Sequence, residues 1–293
     1  MTYTTLISVA QLQQLQTSDQ PFMVFDCSFD LTTPDAGRAM YLDSRIPGAV
    51  YAHLDEALSD KTPPMPGQPD TRPSGGRHPL PSREQFAAWL GSVGFNNTMQ
   101  AVVYDRQGAN YCGRLWWMLK WVGHANVAVL DGGLQAWKLD AANVAATGTV
   151  ATLPASNYAL VPAIAQLFAT NTVVNNLGRP VQTILDARAA PRFRGEMEPL
   201  DPVAGHIPGA LNRPFAENIG PDGRFKPAAQ LRTEFEAVLA GRDPTTVVHH
   251  CGSGVSALPN LIAMVLAGMG HTGLYAGSWS EWCSDSTRPF ARG

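Results

Sequence analysis

The sequence predicts an α/β protein that contains two copies of one domain, each a parallel β-sheet with helices on both faces. Segments of the first half recur in the second: "IPGA" stands at 46–49 and again at 207–210, and "LDGGLQAW" (130–137) resembles "YAGSWSEW" (275–282). Within each copy, runs rich in β-branched residues alternate with helical patterns, as in parallel sheets with connecting helices. The length of 293 residues is sufficient for two such domains.

The predicted elements follow the same order in both copies: strand, loop, helix, strand, glycine-rich turn, helix, strand. "FMVFD" (22–26) and "TILD" (183–186) are one pair of matching strands, and "AVVYD" (101–105) and "VVHHC" (247–251) are the next. Apolar residues recur at helical spacing in "REQFAAWLGSVG" and "LRTEFEAVLAG". "RLWWMLKWVGH" and "LPNLIAMVLAGMGH" are apolar on nearly all sides, which favours helices packed on a sheet.

We place the domain boundary between residues 148 and 149, so that the predicted domains are 1–148 and 149–293. The surrounding stretch, 139–158, is rich in Ala, Thr and Asn and has weak periodicity, as expected of a linker. A Pro- and Gly-rich loop, 63–81, interrupts the first copy. Long loops on compact domains are often functional.

Composition excludes several classes of function. The formal net charge of -3 provides no basic field for nucleic acid, and the chain has no apolar run of about 18 residues that would cross a membrane. The first residues lack the basic and apolar regions of a secretory signal. Four cysteines in a chain of this length do not indicate a disulfide framework. We therefore predict a cytoplasmic protein in which a thiol can act chemically, without a nucleic-acid or membrane partner.

Cys251 is the candidate nucleophile. It ends the predicted strand 247–251 and stands directly before a glycine-rich turn and a helix, at the sheet edge where ligands bind. A turn of this kind directs several backbone N–H groups at one point, which binds anions and stabilises a thiolate. The residues predicted to form this cradle are Gly252, Ser253, Gly254, Val255 and Ser256. The alternative is that Cys251 is a small buried apolar residue at a strand end.

The first copy carries Asp105 at the position of Cys251. Because a carboxylate cannot perform thiol chemistry, only the second copy is expected to be active. Phosphatases of the phosphotyrosine type also use a cradled thiolate, but they require an arginine six positions later to clamp the phosphate, and Ala257 stands there. The remaining chemistry is sulfur transfer, in which the thiolate accepts a sulfur atom and holds it as a persulfide.

A metal site at "HHC" is not predicted. His249 and His250 are neighbours on a strand, so their side chains point to opposite faces and cannot converge with Cys251 on one ion. Sulfur transfer through a persulfide requires no cofactor either.

Over essentially its whole length the chain resembles the two-domain sulfurtransferases of the rhodanese family. The resemblance rests on "VFDCSFD", "ILDAR", both "IPGA" segments, "LDGG" and "GSWSEW". The turn "CGSGVSA" is similar to Cys-Gly-Ser-Gly-Val-Thr-Ala of the mercaptopyruvate branch, with Ser256 in place of Thr. The thiosulfate branch instead has Cys-Arg-Lys-Gly. The resemblance implies tandem rhodanese-like domains and transfer of sulfur from 3-mercaptopyruvate, through Cys251 persulfide, to a thiol or cyanide, with release of pyruvate.

The resemblance also implies roles for further residues. Arg188 would hold the substrate carboxylate, with Arg192 and Arg194 as further candidates. The turn residues Gly252, Gly254, Val255 and Ser256 would line the substrate site, and thioredoxin or a small dithiol would accept the sulfur. Ser253 would join His78 and Asp60 in a proton relay, and because the latter two belong to the first copy, this relay is expected to span the two domains.

Two other functions stay open from the sequence. One is a thiosulfate:cyanide sulfurtransferase, since an arginine serves a sulfonate as well as a carboxylate. The other is a sulfur-relay or binding module with little turnover, which would have no need for the complete set of Cys251, Arg188, His78 and Asp60.

Overall fold

The computed structural model describes residues 2–64, 67, 69–140, 143–148 and 153–293. The chain forms two compact units, Met1–Ser59 with Pro81–Ile164 and Ile219–Phe225, and Asp60–Leu80 with Ala165–Asn218 and Lys226–Gly293. Residues 60–80 therefore belong to the second unit, although they come from the first copy in sequence, and residues 219–225 belong to the first.

The predicted boundary lies between residues 148 and 149, and residues 149–152 are outside the described residues. Just beyond them, the chain still packs with the first unit. The N–H of Ser156 donates to the carbonyl of Gly91 (2.8 Å), and that of Ile164 donates to the carbonyl of Lys120 (2.9 Å).

The first unit contains a five-stranded parallel sheet with the strand order β1-β5-β4-β2-β3. The strands are β1 (Leu6–Ile7), β2 (Phe22–Asp26), β3 (Val50–Tyr51), β4 (Gln100–Tyr104) and β5 (Val127–Leu130). The helices are α1 (Val9–Gln16), α2 (Ala36–Asp43), α3 (Arg83–Ser92), α4 (Cys112–Trp121) and α5 (Gly133–Leu139).

The second unit repeats this arrangement, with the equivalent order β6-β10-β9-β7-β8. The strands are β6 (Gln166–Leu167), β7 (Thr183–Asp186), β8 (Leu211–Asn212), β9 (Val247–His250) and β10 (Gly273–Leu274). The helices are α6 (Thr170–Asn175), α7 (Ala190–Phe193), α8 (Ala228–Leu239), α9 (Leu258–Leu266) and α10 (Ser278–Trp282), with short 3-10 turns at Phe215–Asn218 and Pro244–Thr246. The predicted repeat of one α/β domain is thus confirmed.

Apolar side chains cover both faces of the first sheet, since successive residues of a strand point to opposite sides. Val24 of β2 lies in a buried cluster with Leu12 of α1 and Trp137 of α5. Its neighbour Phe25 contacts Trp89 of α3, with ring centroids 6.0 Å apart. Burial of this alternating pattern places helices on both faces and leaves the carboxyl edge of the sheet open to the loops.

The register of the central strands brings the chemically important positions to that edge. In the first sheet Asp26 lies beside Tyr104, and in the second Asp186 lies beside His250. Asp105 and Cys251 follow directly after β4 and β9, each before a helix. In the described part of the chain, no helix is both long and apolar enough to cross a membrane.

Candidate active site

The backbone N–H groups of the loop after β4 bind a carboxylate of the same loop. The Oδ1 atom of Asp105 accepts hydrogen bonds from the N–H groups of Gln107 (2.9 Å) and Ala109 (3.1 Å). Its Oδ2 atom accepts from the N–H groups of Tyr111 (2.8 Å) and Cys112 (3.0 Å). The loop therefore directs four amides at one carboxylate, and the anion nest of the first unit is filled by its own side chain.

The loop after β9 has the same backbone character, with Cys251 at the position of Asp105. Gly254, three residues after the cysteine, has φ +74°, and Gly108, three residues after the aspartate, has φ +65°. Left-handed backbone of this kind favours glycine. The same turn thus presents a thiol in the second unit where the first presents a carboxylate.

The start of α10 holds the Cys251 loop in place. The N–H of Cys251 donates to Ser278 Oγ (3.1 Å), and its carbonyl accepts from the N–H of Trp279 (3.0 Å). The next carbonyl, of Gly252, accepts from the N–H of Ser280 (2.9 Å). These bonds fix the backbone of the first two loop residues independently of what the loop binds.

The loop amides are available to an anion. Within the described residues, the N–H groups of Gly252, Ser253, Val255 and Ser256 donate to no other protein group. Cys251 itself is only 2% exposed. Because a buried N–H without an acceptor is costly, this loop favours an anionic group that accepts hydrogen bonds from these amides.

The structure brings together two members of the predicted relay. His78 Nδ1 and Ser253 Oγ are 2.7 Å apart, and both side chains are buried. The N–H of Asp60 donates to the carbonyl of Pro79 (2.8 Å), next to His78, while the Asp60 carboxylate accepts from the N–H of Thr62 (2.9 Å). Since 60–80 is part of the second unit, the His78–Ser253 pair lies within one compact unit and not between the two.

Arg188 is engaged in a buried network beneath the loop. Its Nε and Nη2 bind the carboxylate of Asp186 at 2.6 to 3.1 Å, and Nη2 also donates to the carbonyl of Gly205 (2.8 Å). Its Nη1 lies 3.4 Å from Glu198. Burial opposes the charge of Arg188, but Asp186, Glu198 and Cys251 together raise its pKa above the ordinary value. All three guanidinium nitrogens thus have protein partners.

Two other arginines face the turn. A Cβ atom built on Gly252 would lie 3.1 Å from Nη2 of Arg77 and 3.6 Å from Nη1 of Arg192. Arg194, by contrast, pairs with the exposed Glu196 at 2.6 Å. From the sequence, Arg192 was predicted only as a further candidate, and Arg77 was not predicted. The available signal was its position next to His78 in "GGRHP".

Comparison with known proteins assigns the chain to a family. A sequence model of the rhodanese-like domain matches residues 8–140 and again residues 169–285. The chain belongs to the rhodanese family.

Relatives of this rhodanese-family chain carry two names. A protein of Pseudomonas aeruginosa, provisionally named a 3-mercaptopyruvate sulfurtransferase, is 44% identical over 98% of this chain and 100% of its own length. A protein of Mycobacterium tuberculosis, provisionally named a thiosulfate sulfurtransferase, is 38% identical over 98% of this chain and 97% of its own. The crystal structure of the 3-mercaptopyruvate enzyme of Escherichia coli is 30% identical, with a TM-score of 0.75 over 95% of this chain and 100% of that one.

The two histidines before the thiol have structural partners in the second rhodanese domain. His249 Nε2 lies 2.8 Å from Thr272 Oγ1, and burial lowers the pKa of His249 to about 3. His250 Nε2 lies 3.5 Å from Asp186, and burial also lowers its pKa. Among the described residues, no group of three or more His, Cys, Asp and Glu side chains is arranged to hold a metal ion.

Proposed function

We propose that Cys251 takes a sulfur atom from 3-mercaptopyruvate, holds it as a persulfide and passes it to a thiol or to cyanide. One observation carries this proposal: Cys251 occupies the position at which the matching loop of the first domain surrounds a carboxylate with four amides. A thiolate, and afterwards a persulfide anion, would be stabilised by the amides of the Cys251 loop that have no other acceptor among the described residues, those of Gly252, Ser253, Val255 and Ser256. The names of the relatives support 3-mercaptopyruvate as the donor.

The first half-reaction conserves atoms and electrons. The Cys251 thiolate attacks the donor sulfur, so that an S–S bond forms and the donor S–C bond breaks. The electron pair of that bond passes to the methylene carbon and gives the enolate of pyruvate. The proton of the donor thiol ends on this carbon, and the products are Cys251 persulfide and pyruvate. An acceptor thiol or cyanide then removes the outer sulfur in a second step, which is a ping-pong scheme.

Ser253 and His78 are suited to carry the proton. The Ser253 hydroxyl lies 2.7 Å from His78 Nδ1, so it can accept the proton of the donor thiol and pass its own to the imidazole. Asp60 remains in the proposed relay as the group that orients His78 from the same segment.

Arg192 is the better candidate for the substrate carboxylate. Arg188 was predicted for this role from the sequence, but its guanidinium N–H groups already donate to Asp186, Gly205 and Glu198. The Nη1 atom of Arg192 has no hydrogen-bond partner among the described residues and faces the bare Cα of Gly252. Arg188 then remains in the core of the unit, where it places a buried positive charge near Cys251.

Mass spectrometry of the intact protein tests the proposal. Treatment of the wild-type protein with 3-mercaptopyruvate is expected to add about 32 Da, the mass of one sulfur atom, with release of one pyruvate for each adduct. Cys251→Ser is expected to form neither product, while Cys283→Ser, which removes a more exposed thiol, retains both. An adduct of the same size in Cys251→Ser would refute the proposal.

Thiosulfate is the second candidate donor. The Mycobacterium tuberculosis relative supports it by its name, and two guanidinium groups at the turn could bind a sulfonate. The two donors are compared by kcat/KM for the transfer of sulfur to cyanide. A value for thiosulfate well above that for 3-mercaptopyruvate would reverse the assignment.

Substitution of His78 tests the relay. His78→Ala is expected to lower kcat by about 100-fold with little change in KM, because general acid–base catalysis contributes at least this much and the donor is bound elsewhere. The measurement is steady-state release of pyruvate. His53→Ala, which removes a similarly buried histidine of the first unit, is the control. Equal losses in the two variants would show that His78 has only a structural role.

The sulfur acceptor and the location of the protein complete the proposal. We keep thioredoxin or a small dithiol as the acceptor, because a second thiol releases the transferred sulfur by forming a disulfide. We also keep the cytoplasmic assignment, which is supported by the four cysteines, all of them free thiols.

A further inference from the structure

We propose that Arg77 and Arg192 together form a two-guanidinium clamp. This clamp selects sulfur donors that also bear a carboxylate. This inference rests on the proposed sulfur transfer and names the residue that decides its substrate class. Arg77 belongs to the segment 60–80, which the sequence places in the first copy and the fold places in the second unit.

The position of Arg77 is the first observation. A Cβ atom built on Gly252 would lie 3.1 Å from its Nη2, and 3.6 and 3.7 Å from the two terminal nitrogens of Arg192. Gly252 follows the reactive cysteine directly. Both guanidinium groups therefore lie against the backbone of the residue that follows Cys251, on the side where that residue has no side chain.

The hydrogen bonds of the two arginines are the second observation. Asp201 joins them: its Oδ1 lies 2.8 Å from Arg77 Nη1, and its Oδ2 lies 3.3 Å from Arg192 Nη2. The carboxylate of Glu198 accepts hydrogen bonds from Nε and Nη2 of Arg192. Among the described residues, Nε and Nη2 of Arg77 and Nη1 of Arg192 have no acceptor, and Nε of Arg77 is buried.

The backbone around Arg77 is held rigidly against the start of α10. The N–H of Arg77 donates to Ser280 Oγ (3.0 Å). Gly76, at φ +81°, has no room for a side chain, because a Cβ atom would lie 2.5 Å from Ser280 Oγ and 2.6 Å from the carbonyl oxygen of Gly277. The same helix start holds the backbone of Cys251, so the guanidinium group and the thiol are positioned from one element.

These donors suit a carboxylate. Guanidinium N–H groups form short, charge-assisted hydrogen bonds to carboxylate oxygens, and two groups on a shared aspartate can each take one oxygen. A 2-oxo acid with a thiol on C3 brings its sulfur to Cys251 while its carboxylate reaches the clamp. Asp201 positions the pair without contacting the donor.

Two donors that differ only in the carboxylate test the clamp. The probes are 3-mercaptopyruvate and mercaptoacetone, in which a methyl group replaces the carboxylate. For 3-mercaptopyruvate, Arg77→Ala is expected to raise KM by about 30-fold with less than about a threefold change in kcat, since a charge-assisted bond to the carboxylate is lost. For mercaptoacetone the same change is expected to alter kcat/KM by less than about twofold. Arg77→Lys should recover part of the KM loss, because it restores the charge without the fork.

Arg232→Ala is the control for the removal of an arginine. Arg232, on α8, forms an ion pair with Glu236 at 2.9 Å, and both side chains are 55% exposed. It should leave both donors unaffected. Inhibition by pyruvate gives a second readout. Arg77→Ala is expected to raise the inhibition constant of pyruvate by a factor similar to the rise in KM.

Equal losses for both donors, or an unchanged KM for 3-mercaptopyruvate in Arg77→Ala, would overturn the clamp while leaving the proposed function intact. Absence of any sulfur adduct on wild-type Cys251 after treatment with 3-mercaptopyruvate would instead refute the proposed function, and the clamp with it.

Discussion

Replacement of Asp105 by alanine is expected to lower the free energy of unfolding by about 4 kcal/mol. The carboxylate is 2% exposed and accepts four backbone N–H groups. Each buried donor left without an acceptor costs about 1–3 kcal/mol, and water that enters the vacated space recovers part of the total. Urea denaturation followed by circular dichroism measures the change.

Two further variants of acidic residues calibrate this result. Asp105→Asn keeps a carbonyl oxygen for part of the nest and is expected to cost about half as much. Asp243 accepts the N–H of Thr245 (2.9 Å) at an exposed turn, so Asp243→Ala should lower the free energy of unfolding much less than Asp105→Ala. If Asp105→Ala were no more harmful than Asp243→Ala, the carboxylate would not hold the loop together, and the equivalence of the two loops would lose its physical basis.

Gly254→Ala is expected to cause the largest loss of activity of any change that keeps the thiol, at least about 100-fold in kcat/KM. The residue has φ +74°, and an added Cβ atom would collide with the carbonyl oxygen of Ala276. The loop must then move, which displaces its amides from the sulfur and Ser253 from His78. A displacement of about 1 Å at a reacting group is sufficient for a loss of this size. Steady-state release of pyruvate measures it.

Gly268 is the matched control for backbone strain. It has φ +70°, but a Cβ atom there would meet only Arg232 Nη1 at 3.8 Å, an ordinary contact. Gly268→Ala therefore carries a strain of about 1 kcal/mol without a collision and should retain activity. Full activity in Gly254→Ala would mean that the loop does not need this conformation for catalysis.

Local sequence patterns were sufficient to predict the fold and the thiol. Strand, turn and helix are encoded by residues close in sequence, so the repeats could be aligned and Cys251 assigned to the turn after β9. The contrast of Asp105 with Cys251 followed from the same alignment. None of these inferences required knowledge of which distant segments meet.

The positions of the arginine side chains could not be predicted from the local sequence. Arg188 stands two residues after Asp186, and its guanidinium group folds back onto that carboxylate in the core. Arg192, on the short helix α7, faces the turn instead. Both occur in one cationic stretch, and their sequence does not distinguish them, because burial and the competition of nearby carboxylates decide where each side chain points.

The sequence by itself determined the two α/β repeats, and it predicted which turn carries the proposed nucleophile. The tertiary structure alone decided that residues 60–80 join the second unit, where His78 meets Ser253 and Arg77 reaches the turn. The physical reason is that secondary structure follows from interactions between near neighbours. The surroundings of Cys251 depend instead on packing between residues more than 170 positions apart.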